Sequence, residues 1–304
     1  MVDAVLLKKR LDDIEKLAQG SPLKRFFCRP LTYFFGVFHN RIWYPLSKQE
    51  VLVDCNTFFN SKLSVNLPAG LDIFLLSAKT HSSEIRLAKY MINTLTDVNV
   101  FWDIGAHFGF FTQLASTLMP QQSTILSVEA ASNTYRILTL NTAKYANVVV
   151  ENMAISDTNG TMVFYEFPAK YSEYNTLLPD QFSEDEWYKK TKVKKNTIKS
   201  ISLDQLAKEK HIIPQVIKMD LEGAEWMAIK GAQNLLREHA PIIIMEYSLL
   251  ADKNEHHKKA FDMLLSHGYK VFVIDDSGEL KITTSDALLR RENSDQSDNI
   301  VFKK

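Results

Sequence analysis

VFWDIGAHFGFFTQLAS, residues 100–116, runs from an apolar strand into a glycine turn and out into an apolar helix. The strand ends at Asp103 and the turn is Gly105-x-x-x-Gly109. Glycine allows backbone conformations closed to other residues and lets a ligand approach the chain closely, so the turn reads as a binding loop. In an open α/β sheet the ligand crevice lies outside the carboxyl ends of the strands, where this loop falls. Ligand contacts are therefore expected from Asp103, Gly105, Ala106 and Gly109.

The turn also discriminates between ligands. A dinucleotide fold prefers G-x-G-x-x-G, which brings a pyrophosphate onto the helix N-terminus, and position 107 here is His. An acid at the start of the turn repels a phosphate but favours an ammonium or sulfonium cation. The loop thus speaks for S-adenosylmethionine. An NAD-dependent oxidoreductase on a similar sheet is the rival enzyme, and a non-catalytic cofactor-binding scaffold is the rival outside enzymes.

Outward from this loop the chain alternates strand and helix. Strands are predicted at about 99–103, 124–129, 147–154, 215–220, 242–247 and 269–275, with helices at 110–119, 132–145, 224–237 and 254–267 between them. That order implies an α/β fold with a mainly parallel sheet and helices on both faces. The tail NIVFKK is read as a last strand pairing antiparallel at the sheet edge. Upstream, residues 83–95 have helical spacing, and SKLSVNLP and LDIFLL read as the strands of a hairpin around Pro68-Ala69-Gly70. Residues 3–19 form a short leading helix, which makes residues 1–80 an extension before a main domain at 81–304.

Two further strand ends carry acids. Glu129 closes the second strand in ILSVEA, where a carboxylate can accept both ribose hydroxyls of a bound nucleoside. Ala154-Ile155-Ser156-Asp157 reaches the same rim, so Ser156 and Asp157 are cofactor candidates. Asp157 either meets the adenine amino group or simply serves the turn Asp157-Thr158-Asn159-Gly160.

VIKMDLEGAEWMAIKGA, residues 216–232, gathers Asp220, Glu222 and Glu225 around Gly223 at a strand-to-helix junction. Carboxylates crowd at a cost unless something cationic is near. Glu222 and Glu225 are partly explained by the helix macrodipole, which favours negative charge in the first turn. Asp220 stands at the strand end beside the crevice, and PIIIMEYS delivers Glu246 to the same edge. Such acids can hold a divalent metal or act as a base. As candidates for the catalytic base, Asp220, Glu222, Glu246 and His107 stand in that order, and no residue is assigned as a metal ligand.

The DIGAHFG loop, the SVEA acid, the AISD segment, SLDQL at 202–206 and above all IKMDLEGAE with its trailing IKGA resemble the FkbM methyltransferase family over about residues 80–275. The resemblance implies a doubly wound, Rossmann-like sheet of seven strands with the last antiparallel. It also implies transfer of a methyl group from S-adenosylmethionine, usually to a hydroxyl on a sugar of a surface polysaccharide, glycolipid or glycosylated natural product. The family's first loop commonly carries Asn where this chain has His107. His107 is read as donating a hydrogen bond in the same way, the alternative being a proton acceptor particular to this chain.

Composition narrows the partners. Apolar residues are 45% and charged residues 24%, as in soluble globular proteins, which argues against wholesale disorder. Lys plus Arg and Asp plus Glu are 36 each, so no global charge draws the chain to nucleic acid or an anionic membrane, and either partner would need a local patch. The small-molecule or glycan acceptor expected here is what the family resemblance implies. Cys28 and Cys55 form neither a metal pattern nor a disulfide framework, and no apolar run approaches the ~18 residues of a spanning helix. A cytoplasmic placement is expected. The stretch LKRFFCRPLTYFFGVFHNRIWYPL is dense in aromatics with scattered Arg and Lys. It is read as a cap on the main domain, because aromatics usually go into cores, with peripheral membrane contact through residues 21–46 as the alternative. The Lys-rich TKVKKNTIK is read as a solvated strand face.

Overall fold

The computed structural model describes residues 3–248, 255–289 and 297–304. The chain begins with α1 (Ala4–Ala18), whose first turn is capped by Asp3, its carboxylate accepting from Leu6 N–H at 3.0 Å. Next come α2 (Pro22–Cys28), α3 (Pro30–Phe38), a π-helical turn at His39–Trp43 and α4 (Tyr44–Ser47). β1 (Val51–Asn56) and β2 (Lys62–Leu67) pair antiparallel.

LDIFLL, expected as a strand of that hairpin, is instead α5 (Leu71–Leu76). A six-residue apolar run fits a buried strand or a buried helix equally by period alone. The partner that KLSVNL needs is supplied upstream by VLVDCN, and the helix turns Leu71 and Leu75 onto Gly36 of α3.

α6 (Ser82–Thr94) leads into the alternating part: β3 (Val100–Ile104), α7 (Phe110–Leu118), β4 (Thr124–Val128), α8 (Ser132–Thr142) and β5 (Val148–Glu151). The strand expected at 147–154 is split, because β6 (Ala154–Ile155) leaves the main sheet. It pairs with β8 (Lys194–Ile201), which also pairs antiparallel with β7 (Gly160–Glu166), in a separate three-stranded sheet. Most of β8 before its last residues is solvated, as its lysines require. A short α9 (Glu186–Lys189) lies between β7 and β8. After them come α10 (Leu203–Lys210), β9 (Val216–Met219), α11 (Glu225–Lys230) and β10 (Ile242–Ser248). The chain closes with α12 (Glu255–Ser266), β11 (Lys270–Ile274), β12 (Leu280–Ile282), α13 (Ser285–Leu289) and β13 (Ser297–Lys303).

The main sheet has the order β12-β11-β13-β10-β9-β3-β4-β5 among the described residues. From β10 to β5 all neighbours are parallel. This is the expected doubly wound sheet with an antiparallel last strand, plus the short β12 at one edge. The tail strand is not at the edge, however. β13 is inserted antiparallel between β10 and β11, because Ile300, Val301 and Phe302 are apolar on both faces and need cover and a partner on either side.

Side chains alternate across the sheet into two cores. Phe101 faces the first, with Leu87, Met91 and Leu114, and Trp102 faces the second, with Leu206, Leu235 and Phe261. Leu7, Leu11 and Val65 belong to the first core, so the N-terminal extension shares its hydrophobic interior with the helices of the main domain. Strand order reverses between β3 and β9, and in such sheets the switch point opens a crevice at the carboxyl ends.

Candidate functional site at the switch point

The glycine loop sits over this crevice, and its geometry is set by the protein as much as by any ligand. Gly105 has φ +78°, and a Cβ there would lie 2.0 Å from the Asp220 carbonyl oxygen. Gly109 has φ +83°, and its Cβ would meet Leu138 at 2.7 Å. The N–H groups of Gly105 and Ala106 both donate to the Val128 carbonyl, at 2.9 and 3.0 Å, so neither is offered outward. His107 is left-handed too, at φ +49°, a region where Asn and His are enriched among side-chain-bearing residues.

His107 N–H donates to Glu129 at 2.8 Å, and Ala131 N–H donates to its other carboxylate oxygen at 2.9 Å. These bonds hold the Glu129 side chain in one rotamer at the end of β4, lining the cleft. Burial nevertheless pushes its carboxyl up to about 7, the two backbone bonds only partly opposing it. Such a carboxylate still has lone pairs for two more donors, as a vicinal diol provides. Ala130, Met153, Ile155 and Phe164 form an apolar wall of the same cleft. Its volume, about 1080 Å³, exceeds the ~300–1,000 Å³ usual for one ligand and leaves room for an acceptor. These residues fit an adenosine-bearing cofactor.

Four cofactor candidates point elsewhere. Asp103 is fully buried and does not line the cleft: its carboxylate accepts from Thr112 Oγ1 at 2.6 Å and lies 3.6 Å from Lys218 Nζ. Its charge is met inside the protein and not by a ligand cation. Gly109 lies under α8, as its contact with Leu138 requires. Ser156 is buried against Ser200, with their hydroxyls 2.8 Å apart. Asp157 pairs with Lys230 at 2.7 Å, consistent with its turn reading.

The other end of the cleft is acidic. Asp220, Glu222 and Glu246 all line it. Oxygens of Asp220, Glu225 and Glu246 lie within 4.8 Å of one another, a spacing that a divalent cation would also tolerate. Burial first and the neighbouring Asp220 second push Glu246 up to about 7, while Ser297 Oγ donates to it at 2.5 Å. Glu222 is raised well above the usual carboxylate range by burial and then by Glu246 and Asp220. Its backbone is left-handed at φ +50°, held by Thr176 and Gln181, which both donate to its carbonyl. Glu225, fully buried, accepts from Leu221 N–H at 2.7 Å, and its second oxygen has no hydrogen-bond partner among the described residues, with His257 Nδ1 3.9 Å away.

Burial and then the charges of Lys79 and Lys218 hold the His107 imidazole well below its ordinary pKa. It is neutral, and its Nε2 lies 3.2 Å from Ser172 Oγ. That contact ties the glycine loop to the 3-10 segment Ala169–Tyr174, which forms the outer wall with Trp187. Tyr171 and Tyr174 both stack on Trp187, with ring centroids 4.7 and 5.0 Å apart.

Lys218 was not singled out from sequence, although a lysine in the fully buried strand VIKM has to be paired. Burial opposes its charge, but Asp220 and Asp103 outweigh this and hold its ammonium above the ordinary range. It lies 3.5 Å from Asp220 and so links Asp103 of β3 to the acid that follows β9. Tyr174, Trp187 and Lys79 also line the cleft from segments without a motif.

The model of the methyltransferase FkbM domain matches residues 103–271. Hexuronic acid methyltransferase AglP of Haloferax volcanii is 23% identical over 158 residues, which is 51% of this chain and 59% of the relative. The matching part thus spans little more than half of that protein. Among solved structures, methyltransferase FkbM from Methylobacillus flagellatus KT aligns with TM-score 0.43 and 15% identity over 78% of this chain and 53% of that one. Fibrillarin of Aeropyrum pernix, solved with natively bound S-adenosyl-L-methionine, aligns with TM-score 0.40 and 10% identity over 72% of this chain and 74% of that one.

Proposed function

The chain belongs to the FkbM methyltransferase family, and from that premise we propose that it O-methylates a sugar hydroxyl with S-adenosylmethionine as donor. The observation that carries the reading is one cleft with a ribose-type acid, Glu129, in one half and the acids Asp220 and Glu246 in the other, below an aromatic wall. When bound, S-adenosylmethionine supplies an electrophilic methyl group on a positively charged sulfur. Glu129 would hold the ribose hydroxyls, with Met153, Ile155 and Phe164 beside the base.

In the acceptor half, the stacked Tyr174 and Trp187 form an aromatic wall suited to the apolar face of a sugar. Asp220 takes the proton of the attacking hydroxyl as the new oxygen–carbon bond forms and the carbon–sulfur bond breaks. Lys218, 3.5 Å away, keeps Asp220 oriented. Glu246 shares the proton, being pushed up to about 7 by burial and by Asp220. Turnover should therefore rise with pH through about 7, since a proton already on Glu246 prevents it from sharing the one that Asp220 receives. His107, engaged with Ser172, positions the outer wall.

Radiolabelled methyl transfer to a panel of sugars tests this, beginning with hexuronic acids, the class named for the Haloferax volcanii relative. Label should enter an alkali-stable ether on the sugar. Asp220→Asn should lower kcat by about 10²–10⁴-fold while leaving S-adenosylhomocysteine affinity unchanged. Native turnover in that variant would remove Asp220 from the role, and label on nitrogen or carbon only would overturn the O-transfer reading.

A further inference from the structure

The segment expected to cap the main domain buries Tyr44 but turns many of its large apolar side chains outward. In α2 to α4, Leu23 (69% exposed), Phe27 (75%), Leu31 (85%), Phe34 (67%) and Leu46 (81%) stand out into solvent, and Phe38, Ile42 and Trp43 are 40%, 50% and 46% exposed. The side toward the protein is narrow: Gly36, His39 and Tyr44 are its buried residues, with Gly36 against Leu71 and Leu75 and Phe35 edge-on to Phe74 at 6.1 Å. Leu31, Phe34, Phe38, Ile42 and Leu46 recur every three or four residues. The wider π-helical turn at His39–Trp43 takes up the extra residue that would rotate the last two off this face. Exposed hydrophobics outside this segment are mostly scattered singly, which is normal for a surface.

The charge pattern says what covers the face. From Lys16 to Gln49 there is no Asp or Glu, while Lys16, Lys24, Arg25, Arg29, Arg41 and Lys48 are present. A second copy of the chain docked on this segment would bring like charges together with no acid in it to answer them. An anionic lipid surface answers the exposed Lys24, Arg41 and Lys48. No helix among the described residues is long and apolar enough to cross a membrane.

We propose that residues 22–47 seat the protein on an anionic membrane surface, with Leu31, Phe34 and Leu46 in the headgroup boundary and Lys24, Arg41 and Lys48 against the headgroups. Arg25 from α2 and Leu71 and Leu75 from α5 line the cleft, so the seated face borders the cleft mouth. Acceptors displayed on the membrane would then meet the site directly. The docking itself does not rest on the transferase reading.

Sedimentation of the full chain with phosphatidylcholine vesicles, with and without phosphatidylglycerol, tests the proposal. The protein should pellet with the anionic vesicles at low salt and be released at high salt. The triple variant Leu31→Ser, Phe34→Ser, Leu46→Ser should lose at least about tenfold in vesicle partitioning at an unchanged melting temperature, since all three positions are solvent-exposed. Leu140→Ser, an exposed position on α8, should partition like the wild type. Wild type that stays in the supernatant at low salt, or a triple variant that pellets as well as wild type, overturns the proposal. So does a vesicle-free dimer, seen by light scattering, that the triple variant dissolves, because the face would then belong to a second copy.

Discussion

Glu129 should make cofactor affinity depend on pH. Its two oxygens accept from His107 and Ala131 N–H groups, yet burial pushes the carboxyl up to about 7. Two ribose hydroxyls can both donate only to the ionised form, because the acid would offer a proton of its own. With a pKa of about 7, the ionised fraction falls from about nine-tenths at pH 8 to about one-tenth at pH 6. Apparent affinity scales with the competent fraction, so S-adenosylhomocysteine should bind about tenfold more weakly at pH 6, or about 1.4 kcal/mol. The sign follows from proton and ligand competing for one carboxylate. The same shift makes the free protein less stable as pH climbs from the ordinary carboxylate range through about 7. Calorimetric titration at the two pH values, with wild type and Glu129→Gln, measures the effect. The uncharged amide should bind more weakly at pH 8 and show no slope attributable to this position. Equal wild-type affinity at both pH values, or the full slope persisting in Glu129→Gln, would refute the assignment.

Gly105→Ala should cost about 1–3 kcal/mol from its positive φ alone, with a further loss because the new Cβ falls 2.0 Å from the Asp220 carbonyl; an unchanged melting temperature would contradict this. Lys218→Met leaves the buried Asp103 with Thr112 as its hydrogen-bond partner and should destabilise by about 3–5 kcal/mol in urea unfolding. Adding Asp103→Asn should recover part of that loss, and strictly additive losses would mean that the two charges do not interact. If Asp220 and Glu246 carry a proton and not a cation, EDTA should leave turnover unaltered; a loss restored by a divalent metal would recast the cluster at 4.8 Å spacing as a ligand set.

Much of the site was legible because strand ends are legible. An apolar run that stops at an acid marks both the strand and the rim of the crevice, and Glu129, Asp220 and Glu246 all line the cleft. Asp103 stops its strand in the same way but is turned inward, and only Lys218, distant in sequence, explains it. Tyr174 and Trp187 come from the interval between β7 and β8, where neither period nor motif singles out a residue.

The sequence by itself determined the alternation of strand and helix, the family and the acids at the switch point, because hydrophobic period and strand-end chemistry are local properties of the chain. Tertiary structure decided what lies against each face. It made LDIFLL a helix once another strand had taken its place beside KLSVNL, and it drew the last strand between β10 and β11. It set the Asp220 carbonyl where only a glycine fits, and it left the aromatic face of residues 22–47 outside. Periodicity records which side chains share a surface, but burial depends on the neighbour that covers it, and that neighbour comes from elsewhere in the chain.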